Sequence, residues 1–427
     1  MPWGNELKLD DAEAHVRGVC FKNGPPGLTG VELEWLVHDS GDPLRTVPKA
    51  RIDEALAPLA APDALPYGSS ITREPGGQVE LSSLPAATLV DSVHGTATDL
   101  AVLRRTLATD GLALSGCGLD PYRDPPRVLD HPRYRAMEAY FDRIGPWGRV
   151  MMRGTAAVQV NLDNGDGSDG VTGYRYRWEL AHRLGPVLVA AFANSPLWQG
   201  APTGWRSARR AVWDRLDPRR TAPPDHDDDP RTAWARYALD QELLCVRRNP
   251  PEDWSAPPEL TFRSWLDGGH RGLRPPTLAD LDYHLSTLFP PVRPRGWLEL
   301  RMLDALPGDD WMVATVVTAT LMDDPTAARA AWDVTEPLCT ARSPLPSAEV
   351  WEQAGRCGPS DPLIGRAVNE CFAVVRATLD RTDAPAALRD AVADFSQRYP
   401  ERGRCPADDR LDALRLGAAP YPLDQTW

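Results

Sequence analysis

The chain has 427 residues, 42% hydrophobic and 25% charged, an ordinary globular composition with ample length for a large core. Its formal charge of -13 argues against a general nucleic-acid binder, because a phosphate backbone needs a basic surface. Lys8, Lys22 and Lys49 are the only lysines, so nearly every cation is an arginine, suited to bidentate grips on carboxylate or phosphate.

In chain order, a short helix is expected over 5–17 and a strand over 30–37. Residues 50–60 read as helix, and 71–82 combine a Pro-Gly-Gly turn with a strand. A long amphipathic helix fits 86–109. Residues 113–120 read as a strand, 131–145 as a helix ended by Gly145, and 156–163 as an alternating strand. A helix follows over 174–194, with Pro186 inside it. Residues 218–231 are polar and Pro-rich, and their acid run "DHDDD" reads as a solvated loop. A further loop spans 249–258. After a helix at 277–289 and a strand at 296–304, the chain from 309 onward is helix after helix, with breaks near Pro325, Pro344 and Pro385. The expected fold class is α+β, in one catalytic domain over 1–427. Its sheet-containing core covers about 20–305, and a helical part covers about 309–427.

The seven cysteines are scattered, with no CxxC pair, which suits a reduced, cytoplasmic protein with structural thiols. The N-terminus lacks the charged-then-apolar pattern of a signal peptide. The longest apolar stretches fall short of the roughly 20 residues a membrane span needs.

Four strands share one asymmetry. In "GVELEW" (30–35), Glu32 and Glu34 oppose Val31, Leu33 and Trp35. In "QVELS" (78–82), Gln78, Glu80 and Ser82 oppose Val79 and Leu81. Gln159, Asn161 and Asp163 oppose Val158, Val160 and Leu162. Glu299 and Arg301 oppose Leu298, Leu300 and Met302. One such strand is what any half-exposed antiparallel sheet shows. Four together suggest a curved sheet with helices behind it and a polar, acid-rich face lining a cleft. Carboxylates gathered in one cleft repel each other unless cations sit between them. Glu32, Glu34, Glu74, Glu80 and Glu299 are therefore candidate ligands for Mg²⁺ or Mn²⁺, which prefer oxygen donors. Such clefts commonly handle phosphates.

No GxxxxGK[ST] loop, strand-following GxGxxG, G-x-S-x-G or HExxH is present. A bound nucleotide would then be held by metals and arginines. Arg301 shares a face with Glu299, where it either pairs with an acid or stabilises a transferring phosphoryl group. Among the arginines of 204–224, one or two would grip a substrate carboxylate. His94, His182 and His284 fall in helices and suit packing roles, and Cys117 reads as a buried thiol.

These stretches resemble the glutamate–cysteine ligase family of plants and many bacteria. They are "GVELEW", "ITREPGGQVELSSLP", "RYRAMEAYFDRIG", "MMRGTAAVQVNLD", "ANSPLWQGAPTGWRSARRAVWDRLDPRRT" and "HLSTLFPPVRPRGWLELRMLD". They occur in family order, and the wording is nearest to the actinobacterial branch that serves ergothioneine biosynthesis. The resemblance implies a glutamine-synthetase-like curved antiparallel sheet lining an ATP and metal cleft. It implies three small-molecule substrates, L-glutamate, L-cysteine and ATP, joined through γ-glutamyl phosphate. Glu32, Glu34, Glu74, Glu80 and Glu299 would coordinate Mg²⁺, and Arg301 would sit near the transferred phosphoryl group, with Glu34 and Arg301 the catalytic pair. Arg209, in the family's S-x-R-x-x-x-W stretch, would hold the glutamate α-carboxylate, with Arg220 a second candidate. Gln159 and Asn161 would line the same cleft. The chain departs from the family wording at Gly154, Ser83 and Trp205, which bears on amino-acid specificity more than on ATP chemistry. A carboxylate–amine ligase with another amine acceptor and a degenerate nucleotide-binding protein are the competing readings.

Overall fold

A computed structural model describes residues 7–224, 229–249, 251–268, 270–340 and 343–417. Most of the "DHDDD" run lies outside the described residues. A seven-stranded, wholly antiparallel sheet organises the chain. Its strands are β1 (Thr29–Asp39), β2 (Ser70–Arg73), β3 (Val79–Ser82), β4 (Leu112–Ser115), β5 (Ala157–Asp163), β8 (Val292–Pro294) and β9 (Trp297–Asp304). β6 (Leu197–Trp198) and β7 (Ala201–Pro202) form a separate two-stranded hairpin. The spatial order is β2-β3-β1-β5-β9-β8, with β4 paired to the far half of β1.

The period-2 alternation explains the two faces. Val31, Leu33, Val79, Leu81, Val160, Leu162, Leu298 and Leu300 are all buried. Behind them lie the helices Leu89–Thr109, Tyr174–Ala191 and Asp310–Asp323. The last of these is apolar on nearly every side, because further helices pack on its outer surface. Two breaks in the helical part are Asp-Pro starts. At Asp324–Pro325 and Asp361–Pro362, the aspartate caps the new helix and the proline occupies its first turn. Among the described residues, no helix is long and apolar enough to cross a membrane.

The structure differs from the sequence reading in several places, three of which bear on the site and its surroundings. Residues 71–82 form two strands, a hairpin folded at Pro75-Gly76-Gly77. Gly77 takes a positive φ of 92°, and a Cβ at Gly76 would overlap the Arg153 carbonyl. The expected loop over 218–231 contains the short helix Pro218–Thr221, and a second helix begins at Pro230. β8 is an edge strand among prolines, too short for any periodic signal.

Candidate active site

Strand register assembles the polar face. Glu34 stands opposite Glu80, Glu32 opposite both Ser82 and Gln159, Asn161 opposite Glu299, and Glu299 opposite Arg293. Glu74 arrives from the hairpin turn rather than from a strand. The turn is pinned by Gln78, whose Oε1 accepts from Gly76 N–H at 2.9 Å while its Nε2 donates to the Thr155 carbonyl at 2.8 Å. A register shift between Val158 and Val160 lets Arg301 and Met302 together face Gln159. That bulge brings both side chains to the cleft side while returning Leu303 to the core.

The result is a cleft of about 240 Å³ whose lining includes Glu32, Glu34, Glu74, Glu80, Gln159, Arg209 and Arg301. The helices Pro132–Phe141, Trp147–Gly154 and Ala208–Leu216 supply its walls through Arg133, Tyr134, Met151 and Trp213. A small side chamber shares Arg209, Trp213, Phe289 and Arg301 with the cleft and adds Met302.

Charge is divided unevenly. Glu34 accepts from Gln159 Nε2 at 2.9 Å, and Glu32 accepts from Asn161 Nδ2 at 3.0 Å. Glu80 accepts from Thr72 and Ser82 hydroxyls at 2.9 and 3.0 Å. None of these partners is a cation. Burial, then Glu299 and Glu80, pushes Glu32 up to about 7. Burial, then Glu74 and Glu80, pushes Glu34 up to about 8. Burial and Glu80 likewise raise Glu74 to about 7. Glu299 behaves in the opposite way. It is 0% exposed and accepts from Arg293 Nε at 2.6 Å, Arg301 Nη1 at 2.8 Å and Arg295 Nη1 at 3.3 Å. Burial alone would raise it, but Arg293 and Arg301 hold it far below the usual carboxylate range.

Arg301 also donates to Gln159 Oε1 at 2.6 Å, so one amide joins Glu34 to Arg301. Arg209, at 5% exposure, donates to the Arg301 carbonyl at 2.9 Å, and its Nε finds no acceptor among the described residues.

Among the described residues, no three His, Cys, Asp or Glu side chains already close on one point at ligation spacing. The glutamates ring the cleft instead. Their chemistry still fits Mg²⁺, a hard ion usually bound by one or two carboxylates together with substrate phosphates and water. Four oxygen-donor side chains, none of them hydrogen-bonded to a cation among the described residues, supply such a donor set.

The structure brings Glu32, Glu34, Glu74, Glu80, Gln159, Asn161, Glu299, Arg209 and Arg301 to one sheet face and its rim. It does not bring Arg220 there. Arg220 is 0% exposed, donates to the Thr287 and Glu242 carbonyls, and pairs with Asp217 at 3.4 Å. Arg133, Tyr134, Arg293 and Arg295 also line the cleft. Sequence reasoning passed over them, although the Arg293–Arg295 alternation before the Gly296 turn was a signal for a paired edge strand. Where the family wording that the chain resembles has an arginine, this chain has Gly154, and the neighbouring Arg153 does not replace it, because it is bound to Glu138. Ser83 Oγ accepts from Val31 N–H, and Trp205 lines a separate cavity beyond the Ala208–Leu216 helix. The Cys117 thiol is pushed up by burial and donates to the Leu119 and Asn194 carbonyls, an inert setting for a nucleophile. His182 and His284 sit in the core against the Trp178 and Ala238 carbonyls.

An open, helix-backed antiparallel sheet with an acid-lined cleft is the architecture of a carboxylate–amine ligase, and the chain belongs to glutamate–cysteine ligase family 2, whose pattern matches residues 28–422. It is 40% identical over 97% of its length to the glutamate–cysteine ligase EgtA of Mycobacterium tuberculosis, covering 93% of that protein. It is 41% identical over 95% of its length to EgtA of Mycolicibacterium smegmatis, covering 91% of it. The chloroplastic glutamate–cysteine ligase of Arabidopsis thaliana is 35% identical over 56% of this chain, covering 46% of the plant protein. The fold matches a Francisella tularensis glutamate–cysteine ligase, solved with AMP, at a TM-score of 0.55 and 13% identity, covering 93% of this chain and 86% of that one.

Proposed function

We propose that the chain is an ATP-dependent ligase joining the γ-carboxylate of L-glutamate to the amine of L-cysteine. The observation that carries this is near-full-length identity to the two mycobacterial glutamate–cysteine ligases. The cleft supports it, with uncompensated carboxylates at one end and arginines at the other.

A carboxylate is a poor acyl donor because oxide leaves badly. Transfer of the ATP γ-phosphoryl group to the γ-carboxylate gives γ-glutamyl phosphate and ADP. The cysteine amine then attacks the carbonyl carbon, the C–O bond to phosphate breaks, and the nitrogen loses a proton. Glu32, Glu34, Glu74 and Glu80 would hold Mg²⁺, or Mn²⁺, with Glu299 joining them. The ion would neutralise the triphosphate and polarise the transferring group. Arg301, kept charged and aimed by Glu299 and Gln159, meets the charge that develops on the phosphoryl oxygens. Arg209 takes the glutamate α-carboxylate, a buried guanidinium matched to a planar anion. Gln159 and Asn161 orient Glu34 and Glu32. Holding three substrates in one cleft lowers the barrier further through proximity. The EgtA relatives and the actinobacterial wording support a cytoplasmic place in ergothioneine biosynthesis.

The test is ADP release from ATP, Mg²⁺ and glutamate with a panel of amino acids as acceptors. Release that strictly requires cysteine is the expected result. Release with a different amine overturns the acceptor assignment, and tight ATP binding without turnover for any amine overturns the enzyme.

A further inference from the structure

Asp304, the last residue of β9, sits beside the arginine to which we assign the glutamate carboxylate. It is 1% exposed. One carboxylate oxygen accepts from Asn194 N–H at 2.9 Å and from Ser195 Oγ at 2.7 Å. The other accepts from Ser207 Oγ at 2.9 Å and stands 4.0 Å from Arg209 Nη1.

The two serines continue the network into the helix that carries Arg209. Ser195 Oγ accepts from the Arg209 backbone N–H at 3.1 Å, and Ser207 Oγ caps the same helix by accepting from Arg210 N–H at 3.1 Å. Each hydroxyl has one proton. Both protons go to Asp304, which leaves both lone-pair sides turned to the first helical turn. Only an acceptor at two oxygens sets both hydroxyls this way. An asparagine there offers one oxygen and one NH₂ group, so one serine loses the acceptor for its proton, must rotate, and no longer holds its N–H in the same geometry. The space is also fitted to the carboxylate, since a Cβ at Gly118 would overlap it. Arg209 is thus tied to β9 twice, by its link to the Arg301 carbonyl and by the Asp304 network.

We propose that Asp304 is a positioning residue for glutamate binding, acting through Ser195, Ser207 and the start of the Ala208–Leu216 helix to set the Arg209 guanidinium. The inference rests on Arg209 holding the glutamate α-carboxylate. Asp304 does not touch substrate.

The test compares KM values for glutamate and ATP in Asp304→Asn, Ser207→Ala, Arg209→Lys and the double variant Asp304→Asn/Arg209→Lys. Asp304→Asn is expected to raise the glutamate KM about 10- to 100-fold and the ATP KM by less than about threefold, and Ser207→Ala, which keeps the charge and removes one strut, gives a rise of about threefold. In the double variant the glutamate effects fall short of their product, because both act on one guanidinium. A merely structural lesion would move both KM values together and multiply with Arg209→Lys, and either result overturns the proposal. An unchanged glutamate KM in Ser207→Ala and in any folded Asp304→Asn protein also overturns it. A normal glutamate KM in Arg209→Lys overturns instead the reading on which it rests.

Discussion

Metal binding by this protein should release protons, and its metal-free form should lose stability as pH rises. A carboxyl whose folded-state pKa lies above its unfolded value binds its proton more tightly in the native chain. Ionising it therefore costs native stability. The loss begins near the ordinary value of 4.5 and, for Glu32, is complete above about 7. A rise of that size corresponds to roughly 3 kcal/mol for Glu32 alone, and water in the cleft softens it. Glu34 and Glu74 shift in the same direction. Because those two interact, their contributions do not simply add. Mg²⁺ needs the ionised form, so its binding runs against the protons. At pH 6 a carboxyl with a pKa of about 7 is ionised in about one molecule in eleven, so affinity falls about tenfold for each such ligand relative to pH 8.5. Calorimetric titration of Mg²⁺ at pH 6, 7 and 8.5, in buffers of different ionisation enthalpy, reads both affinity and proton release. Thermal melts at the same pH values should show the metal-free protein melting lower and gaining more from Mg²⁺ as pH rises. Mg²⁺ affinity and melting gain that stay flat across this range would refute the uncompensated acid cluster.

Glu34→Gln should lower Mg²⁺-dependent ADP release at least about 100-fold while the melting temperature holds or rises, since a carboxylate lacking a cationic partner is removed. Normal turnover in that variant takes Glu34 out of the metal site. Arg220→Gln should cost about 3–5 kcal/mol of stability by leaving Asp217 buried without its cation, yet keep the glutamate KM near normal in the folded fraction; a raised KM without loss of stability would return Arg220 to the substrate. Gly76→Ala should destabilise the hairpin tip against Arg153 and weaken Mg²⁺ binding through Glu74, and a wild-type melting curve would contradict the close approach drawn there.

Much of this site could be read from sequence because a strand enforces a period of two. Once Val31, Leu33 and Trp35 claim the core, Glu32 and Glu34 have only the other face. The same logic places Glu80, Gln159, Asn161 and Glu299. Period alone does not say which strands are neighbours, so the Glu34–Glu80 pairing needed the structure. It is also silent on bulges, and the extra residue at Arg301–Met302 left no mark in the alternation. β8 was invisible because three residues among prolines carry no periodicity, and with it went the arginines that hold Glu299. Arg220 shows the opposite failure. Arg209 and Arg220 share one basic stretch, but a helix start presents the first to the cleft. The short helix Pro218–Thr221 presents the second to core carbonyls. Composition counts arginines without telling them apart.

Glu34 and Glu299 show why the cleft has a direction. Both are glutamates on one sheet face, with one strand between theirs. Burial pushes both upward. Of the two, among the described residues, only Glu299 has guanidiniums within hydrogen-bonding distance, two of them from β8 and the turn after it. The edge strand therefore decides that one end of the face is neutralised and the other is not. Gln159 stands between them, and its amide can be oriented only one way, NH₂ to Glu34 and oxygen to Arg301. The acid end would draw a cation and the arginine end an anion, with the amide linking Glu34 to Arg301 between them. A polyphosphate carrying its cation would meet such a gradient in one preferred orientation. The reversed pose would set bare carboxylates against phosphate and guanidiniums against metal. The asymmetry that β8 and the turn after it impose on Glu299 is thus a sufficient physical reason for the two ends of this cleft to attract opposite charges.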